Sequence, residues 1–154
     1  MESGRRCRLW LLPAASGTAP IARVAPALFA INAAGVAAAT AVRVNPDNTQ
    51  SPVAVFQCGA TADSCVPAPI DLSRGAVAVT LYGTGIKNFS SLANVGCTIG
   101  GVDATVLFAG AQGDFPALDQ VNVLIPASLR GRGAVPIVLT VDGQRTNAVT
   151  ISIQ

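Results

Sequence analysis

The feature that most restricts the fold is a period-two alternation of side chains, repeated along the chain between clusters of Gly, Pro, Asn and Asp. Val77, Val79 and Leu81 alternate with Ala78, Thr80 and Tyr82. Val121, Val123 and Ile125 alternate with Gln120, Asn122 and Leu124. Val135, Ile137, Leu139 and Val141 are followed, after Asp142-Gly143, by Val149, Ile151 and Ile153. Successive side chains of a strand point to opposite faces, so the pattern predicts half-buried strands with the apolar face inward. Several such strands at short spacing, punctuated by turn residues, predict an all-β antiparallel β-sandwich.

Turn chemistry sets the expected register. In Ile99-Gly100-Gly101-Val102, a two-residue loop pairs Ile99 with Val102, Cys97 with Ala104 and Val95 with Val106. Gly-Gly tolerates the positive φ of a type I′ turn. At Asp142-Gly143 the same loop length would set Ile137 opposite Ala148 and put Val149 on the wrong face. A three-residue loop, Val141 to Gly143, with Gly143 as a left-handed bulge residue, is therefore expected, pairing Ile137 with Asn147 and Val135 with Val149. Pro136 points to an edge strand or to a ladder position needing no N–H.

Ala33 to Val44 is rich in Ala, which favours helix, but Gly35 interrupts it and Val36, Ala38, Thr40, Val42 and Val44 alternate. Strand is the expectation, with Asn45 to Asn48 as a turn and Val53 to Cys58 as the returning strand. A short helical turn is expected at Pro126 to Arg130.

Residues 1–23 differ in character. Arg5, Arg6 and Arg8 precede a short apolar run, Leu9 to Leu12, interrupted by Pro13. This outlines a degenerate secretory signal; a misassigned gene start is the alternative. Residues 24–154 are then one domain, long enough to bury its own core.

Composition narrows the function classes. With 51% hydrophobic and 12% charged residues, the chain is too apolar for disorder. A net charge of +2, from nine Arg and the single Lys87 spread along the chain against eight acids, forms no basic stripe for nucleic acid. The apolar runs fall well short of the roughly 18 to 20 residues of a membrane helix. There is no His, so the usual base at neutral pH and the commonest transition-metal ligand are missing.

The residues that carry chemistry are few. Cys58 and Cys65 flank a Gly-Ala-Thr-Ala-Asp-Ser turn, close enough to form a disulfide, which would imply an oxidising compartment. Two independent thiols are the alternative. Zinc is not expected, because only Cys97 remains in the body; Cys97 itself lies on an inward face as a small hydrophobe. Asp114 and Asp119 are the one close pair of carboxylates, in the loop before a strand, and are read as turn formers before any glycosidase-like pair or Ca²⁺ site. Ser90, Ser91 and Ser128 have no His partner. Asn88-Phe89-Ser90 matches a glycosylation sequon, read as inert in a bacterial-type protein. A sugar-binding surface would use exposed aromatics; Phe89 and Phe115, both in loops, and Tyr82 are the candidates. Phe115, before Pro116, is expected to fold back onto the end of the sandwich.

The opening Gly83-Thr84-Gly85, the Thr98-Ile99-Gly100-Gly101 hairpin, Asp119-Gln120-Val121-Asn122-Val123 and the closing VDG…TNAVTI hairpin together make residues 83–153 resemble immunoglobulin-like IPT/TIG modules. With APALFA at 25–30 and FQCGATADSCVPAPIDL at 56–72, the chain from about residue 24 to 154 resembles the Solibacter-type uncharacterised C-terminal domain family. That resemblance implies an Ig-like sandwich at the C-terminus of larger secreted or surface proteins, and the family carries no assigned activity. The expected function is a non-catalytic extracytoplasmic structural or protein-interaction module, extracellular or at the cell surface, with protein partners and no cofactor, metal, nucleic acid or membrane span. Glycan binding by end loops carrying Phe89, Asp114, Phe115 and Asp119 is the alternative, as is a C-terminal export or surface-retention domain.

Overall fold

The computed structural model describes residues 21–154; the segment before them, with Cys7 and Trp10 and most of the expected leader, lies outside the described residues. Among these, Val24 is the first buried side chain along the chain. In chain order the strands are β1 (Ala27–Leu28), β2 (Ala39–Val44), β3 (Gln50–Val53), β4 (Phe56–Gln57), β5 (Val66–Pro67), β6 (Pro69–Ile70) and β7 (Ala76–Thr84). They continue as β8 (Val95–Ile99), β9 (Val102–Ala111), β10 (Asp119–Leu124), β11 (Gly133–Val141), β12 (Gln144–Arg145) and β13 (Val149–Ile153). Single 3₁₀ turns occur at Ala62–Ser64, Leu92–Asn94 and, within the expected Pro126 to Arg130 segment, Ala127–Leu129. The fold is all-β and sandwich-like to barrel-like, with antiparallel strand pairing except between β6 and β13, which run parallel.

Period two becomes burial directly. In β7, Val77, Val79, Leu81 and Gly83 are buried between partly open neighbours, and β10, β11 and β13 repeat the pattern. The larger sheet runs β3-β2-β7-β10-β9, with β1 on the end of β7. The smaller sheet runs β8-β11-β13-β6, with β12 beside β11. Val, Ala and the two leucines Leu28 and Leu81 line the inner face of the larger sheet, and Ile99, Ile137, Leu139, Ile151 and Ile153 fill the space opposite. Each Val, Leu or Ile side chain removed from water stabilises by about 1.5–3 kcal/mol.

Two corners join the sheets. β9 is long enough, about 33 Å when extended, to serve both: Val102 to Ala104 pair with β8, and Thr105 to Ala111 pair with β10. At the opposite corner, the Ala37 N–H donates to the Thr150 carbonyl (3.0 Å) and the Thr150 N–H donates to the Gly35 carbonyl (2.8 Å). The segment that pairs there with β13 continues into β2, which pairs with β7. Val36 and Ala37 thus extend the expected Ala33 to Val44 strand as a bridge, while Ala33 and Ala34 belong to a turn.

Several expected details are corrected. The Gly100-Gly101 hairpin has both residues at positive φ and pairs Ile99 with Val102 and Cys97 with Ala104. Val95 does not reach Val106, because β9 has already left for the larger sheet, where Val106 faces Val123. The return from the Asn45 to Asn48 turn is Gln50 to Val53, paired with β2; Phe56 and Gln57 instead pair with β5 in a separate small hairpin. Asp142-Gly143 is a two-residue turn, φ 46° and 82°, that pairs Val141 with Gln144. The chain slips by one residue afterwards, at Thr146 to Ala148, so Ile137 faces Val149 and Val135 faces Ile151. Pro136 is not on an edge: β11 lies between β8 and β13. Its carbonyl accepts from the Gly100 N–H at 2.8 Å, so its nitrogen points to the same side, past the last residue of β8, where no donor is required.

A second irregularity matters more for function. Asn122 pairs with Phe108 but Val123 pairs with Val106, leaving Leu107 as an unpaired bulge residue in β9. Continued alternation from Val102, Ala104 and Val106 would have sent Phe108 inward. The bulge buries Ala109 instead and turns Phe108 to the outer face.

Candidate functional site

The expected loop residues are split between different tasks. Asp119, the first residue of β10, is 1% exposed. Its Oδ2 accepts from the backbone N–H groups of Ile86 (2.7 Å) and Lys87 (3.1 Å), while Oδ1 is buried without a partner. The carboxylate therefore ties down the turn after β7. Asp114 stands in the exposed loop between β9 and β10, where its Oδ2 accepts from Gln112 Nε2 (3.0 Å). Gln112 Oε1 in turn accepts from the backbone of Asp114 and Phe115. The two aspartates do not act as a pair. Phe89 packs against the core, whereas Phe115 is 65% exposed and does not fold back onto the sandwich. Of the four, Asp114 and Phe115 are open to solvent, and Phe89 and Asp119 are structural.

A second polar knot on the same end was not legible in the sequence. Asp142 Oδ2 accepts from the Ser90 N–H (2.9 Å), Oδ1 accepts from the Ser90 hydroxyl (2.6 Å), and Asn94 Nδ2 donates to that hydroxyl (2.8 Å). These contacts span 52 residues and fasten the β7–β8 loop to the β11–β12 turn. Beside them, Asn147 Oδ1 accepts from the Leu28 N–H (2.9 Å) and its Nδ2 donates to the Leu28 carbonyl (3.0 Å). All three side chains satisfy backbone groups that strand pairing leaves over. Among the described residues, no three His, Cys, Asp or Glu side chains gather to hold a metal ion.

Cys58 and Cys65 form a disulfide that closes the β4–β5 hairpin. Cys97 is buried in β8, and burial pushes its thiol up to about 12, so it remains protonated and a poor nucleophile.

The outer face of the larger sheet is the surface most equipped to contact a ligand. Tyr82, Gln120 and Gly110 form one cross-strand row, and Thr80, Asn122 and Phe108 form the next. Thr80 Oγ1 and Gln120 Nε2 both donate to Asn122 Oδ1, at 3.1 and 2.8 Å, and Thr40 Oγ1 lies 3.3 Å from the Tyr82 hydroxyl. Phe108 is 42% exposed. A Cβ at Gly110 would stand 3.0 Å from Phe108 Cζ and 3.6 and 3.7 Å from its two neighbouring ring carbons. The ring thus reaches along its own strand so that its tip stands at the glycine, and the side chain remains partly open to solvent. At the far end of the same face is a cleft of about 350 Å³, walled by Ala76, Leu124, Thr105, Asp103, Pro126 and Ala127. Tyr82 was among the aromatic candidates. Phe108 was not, because only the bulge at Leu107 brings it outward.

No family model matches the chain, and neither does any curated protein or solved structure. No helix among the described residues is long and apolar enough to cross a membrane.

Proposed function

We propose that the chain is a non-catalytic, extracytoplasmic module of immunoglobulin-like character that serves as a structural or protein-interaction domain, at the C-terminus of a larger secreted or surface protein. The observation that carries this reading is the Cys58–Cys65 disulfide, since such bonds persist in oxidising compartments and are rare in the cytosol. The polar side chains at the loop end support it: Asp119, Asp142 and Asn147 are each engaged in holding backbone, which suits a scaffold. The resemblance to IPT/TIG modules and to the Solibacter-type C-terminal family supports the placement in a larger surface protein. Export or surface retention is part of the same family context.

The test is thiol trapping in source cells. Acid quenching followed by alkylation in denaturant should label Cys97 and leave Cys58 and Cys65 unlabelled until a reductant is added, in chain recovered outside the cytoplasm. Labelling of both Cys58 and Cys65 without reductant, in chain confined to the cytoplasm, would overturn the extracytoplasmic assignment. Reproducible turnover of a substrate, lost on substitution of Asp114 or Asp119, would overturn the non-catalytic one.

A further inference from the structure

We propose that the outer face of the larger sheet binds a neutral polysaccharide, stacked on Phe108 and Tyr82 and hydrogen-bonded by Gln120 and Asn122. The proposal goes beyond the module reading above and does not depend on where the protein resides.

Phe108 is exposed because its strand goes out of register at Leu107. A bulge adds a residue to one strand, disrupts the ladder and re-aims the side chains beyond it. Here it takes a Phe out of the core-facing row and substitutes Ala109 there. Burying the Phe would have been worth about 1.5–3 kcal/mol, so this arrangement is not the one that core packing alone favours.

The surroundings select the ligand class. Tyr82 lies two strands from Gly110, across Gln120, roughly 10 Å away at the usual strand spacing, and the tip of the Phe108 ring reaches that glycine. Between and beside them stand amides and hydroxyls, which both donate and accept hydrogen bonds. Of the outward residues on β2, β7, β9 and β10, Asp103 alone carries a charge at neutral pH, and it belongs to the cleft at the far end. A surface that sets Phe108 and Tyr82, with the exposed Val42, Val44 and Leu107, beside neutral two-way hydrogen-bonding groups is complementary to a chain of sugar rings, with apolar C–H faces and a hydroxyl rim. It offers no counter-charge to a nucleic acid, an acidic peptide or an anionic lipid. From the Gln120 row to the cleft at Pro126 the sheet face extends about 20 Å along β10, long enough for several sugar units.

The test is affinity electrophoresis of the purified chain through native gels containing hydroxyethylcellulose, xylan, galactomannan or amylopectin. Gels with polygalacturonate or no polysaccharide are the controls. Retardation in at least one neutral gel is expected. Phe108→Ala and Gln120→Ala should each weaken it about tenfold, and Phe115→Ala should leave it unchanged. Gly110→Ala is the second variant. It adds a methyl group where the Phe108 ring tip stands, lifting the ring without removing it, and should weaken retention with the sheet intact by circular dichroism. Four outcomes overturn the proposal: no retardation in any neutral gel, retardation only in polygalacturonate, retardation unaffected by both Phe108→Ala and Gly110→Ala, or retardation abolished by Phe115→Ala. The last would move sugar binding to the end loops.

Discussion

The Gly100-Gly101 and Asp142-Gly143 hairpins begin alike and end differently. Both are two-residue turns with both residues at positive φ; the first joins β8 to the start of β9 and the second joins β11 to β12. After the first, pairing runs on in register until β9 leaves for the other sheet. After the second, Thr146 keeps the turn's register, its N–H donating to the Leu139 carbonyl and its hydroxyl accepting from the Leu139 N–H. The chain then slips by one residue. What separates the two is Asn147, whose side chain is drawn away to clamp both backbone groups of Leu28 in β1. Turn type is a local property, whereas register yields to a partner more than a hundred residues away.

Asn147→Ala tests that contrast hardest. It leaves the Leu28 N–H and carbonyl without partners and should cost about 2–3 kcal/mol in urea unfolding. Asp103→Ala, just after the first hairpin, should change stability by less than about 0.5 kcal/mol. Equal effects would mean the slip is set by the turn and not by the clamp. The turn glycines come next. Gly100→Ala and Gly143→Ala both place a Cβ in the left-handed region, at a cost of about 1–2 kcal/mol each. Only at Gly100 does the Cβ also meet neighbours, Val135 Cγ1 at 3.1 Å and Leu129 Cδ2 at 3.4 Å. Gly100→Ala should therefore lower the melting temperature further than Gly143→Ala.

Asp142→Ala removes two acceptors from Ser90 at an exposed site and should cost about 1 kcal/mol in the same urea titration. Asp142→Asn should cost less, since Asn tolerates the left-handed backbone. The smallest effect belongs to the turn between β2 and β3. There the Thr49 hydroxyl and then the Thr49 N–H donate to Asp47 and hold its carboxyl below the ordinary 3.8. A carboxyl with a lowered folded-state value stabilises above the unfolded value, and that contribution is lost as pH falls through the lowered one. Asp47→Asn should leave a slightly shallower loss of stability below pH 3.8, read from melting temperatures across the acid range.

Much of the architecture was legible because it depends on side chains next to one another. The β7, β10, β11 and β13 alternation, the Gly-Gly turn, the helical turn near Ser128 and the Cys58–Cys65 bridge all follow from short spacings. The misreadings share a cause. β9 changes sheet because its far half meets β10, and Leu107 bulges within that pairing; neither partner is visible from the strand's own pattern. Asp119 reads as a loop carboxylate until Ile86 and Lys87, over thirty residues earlier, fold against it. The candidate surface was half legible for the same reason, Tyr82 by simple alternation and Phe108 hidden behind the bulge.

The buried Cys97 thiol has a kinetic consequence. In the closed molecule it is shielded and protonated, so a thiol reagent in solution reacts only during excursions that part β8 from β9 or β11. Its labelling rate in native buffer is thus a clock for opening of the smaller sheet, read at one sulfur atom. When reclosing is faster than labelling, that rate divided by the rate for an exposed thiol gives the fraction of time the molecule spends open. The chain carries its own probe of how often its core breathes.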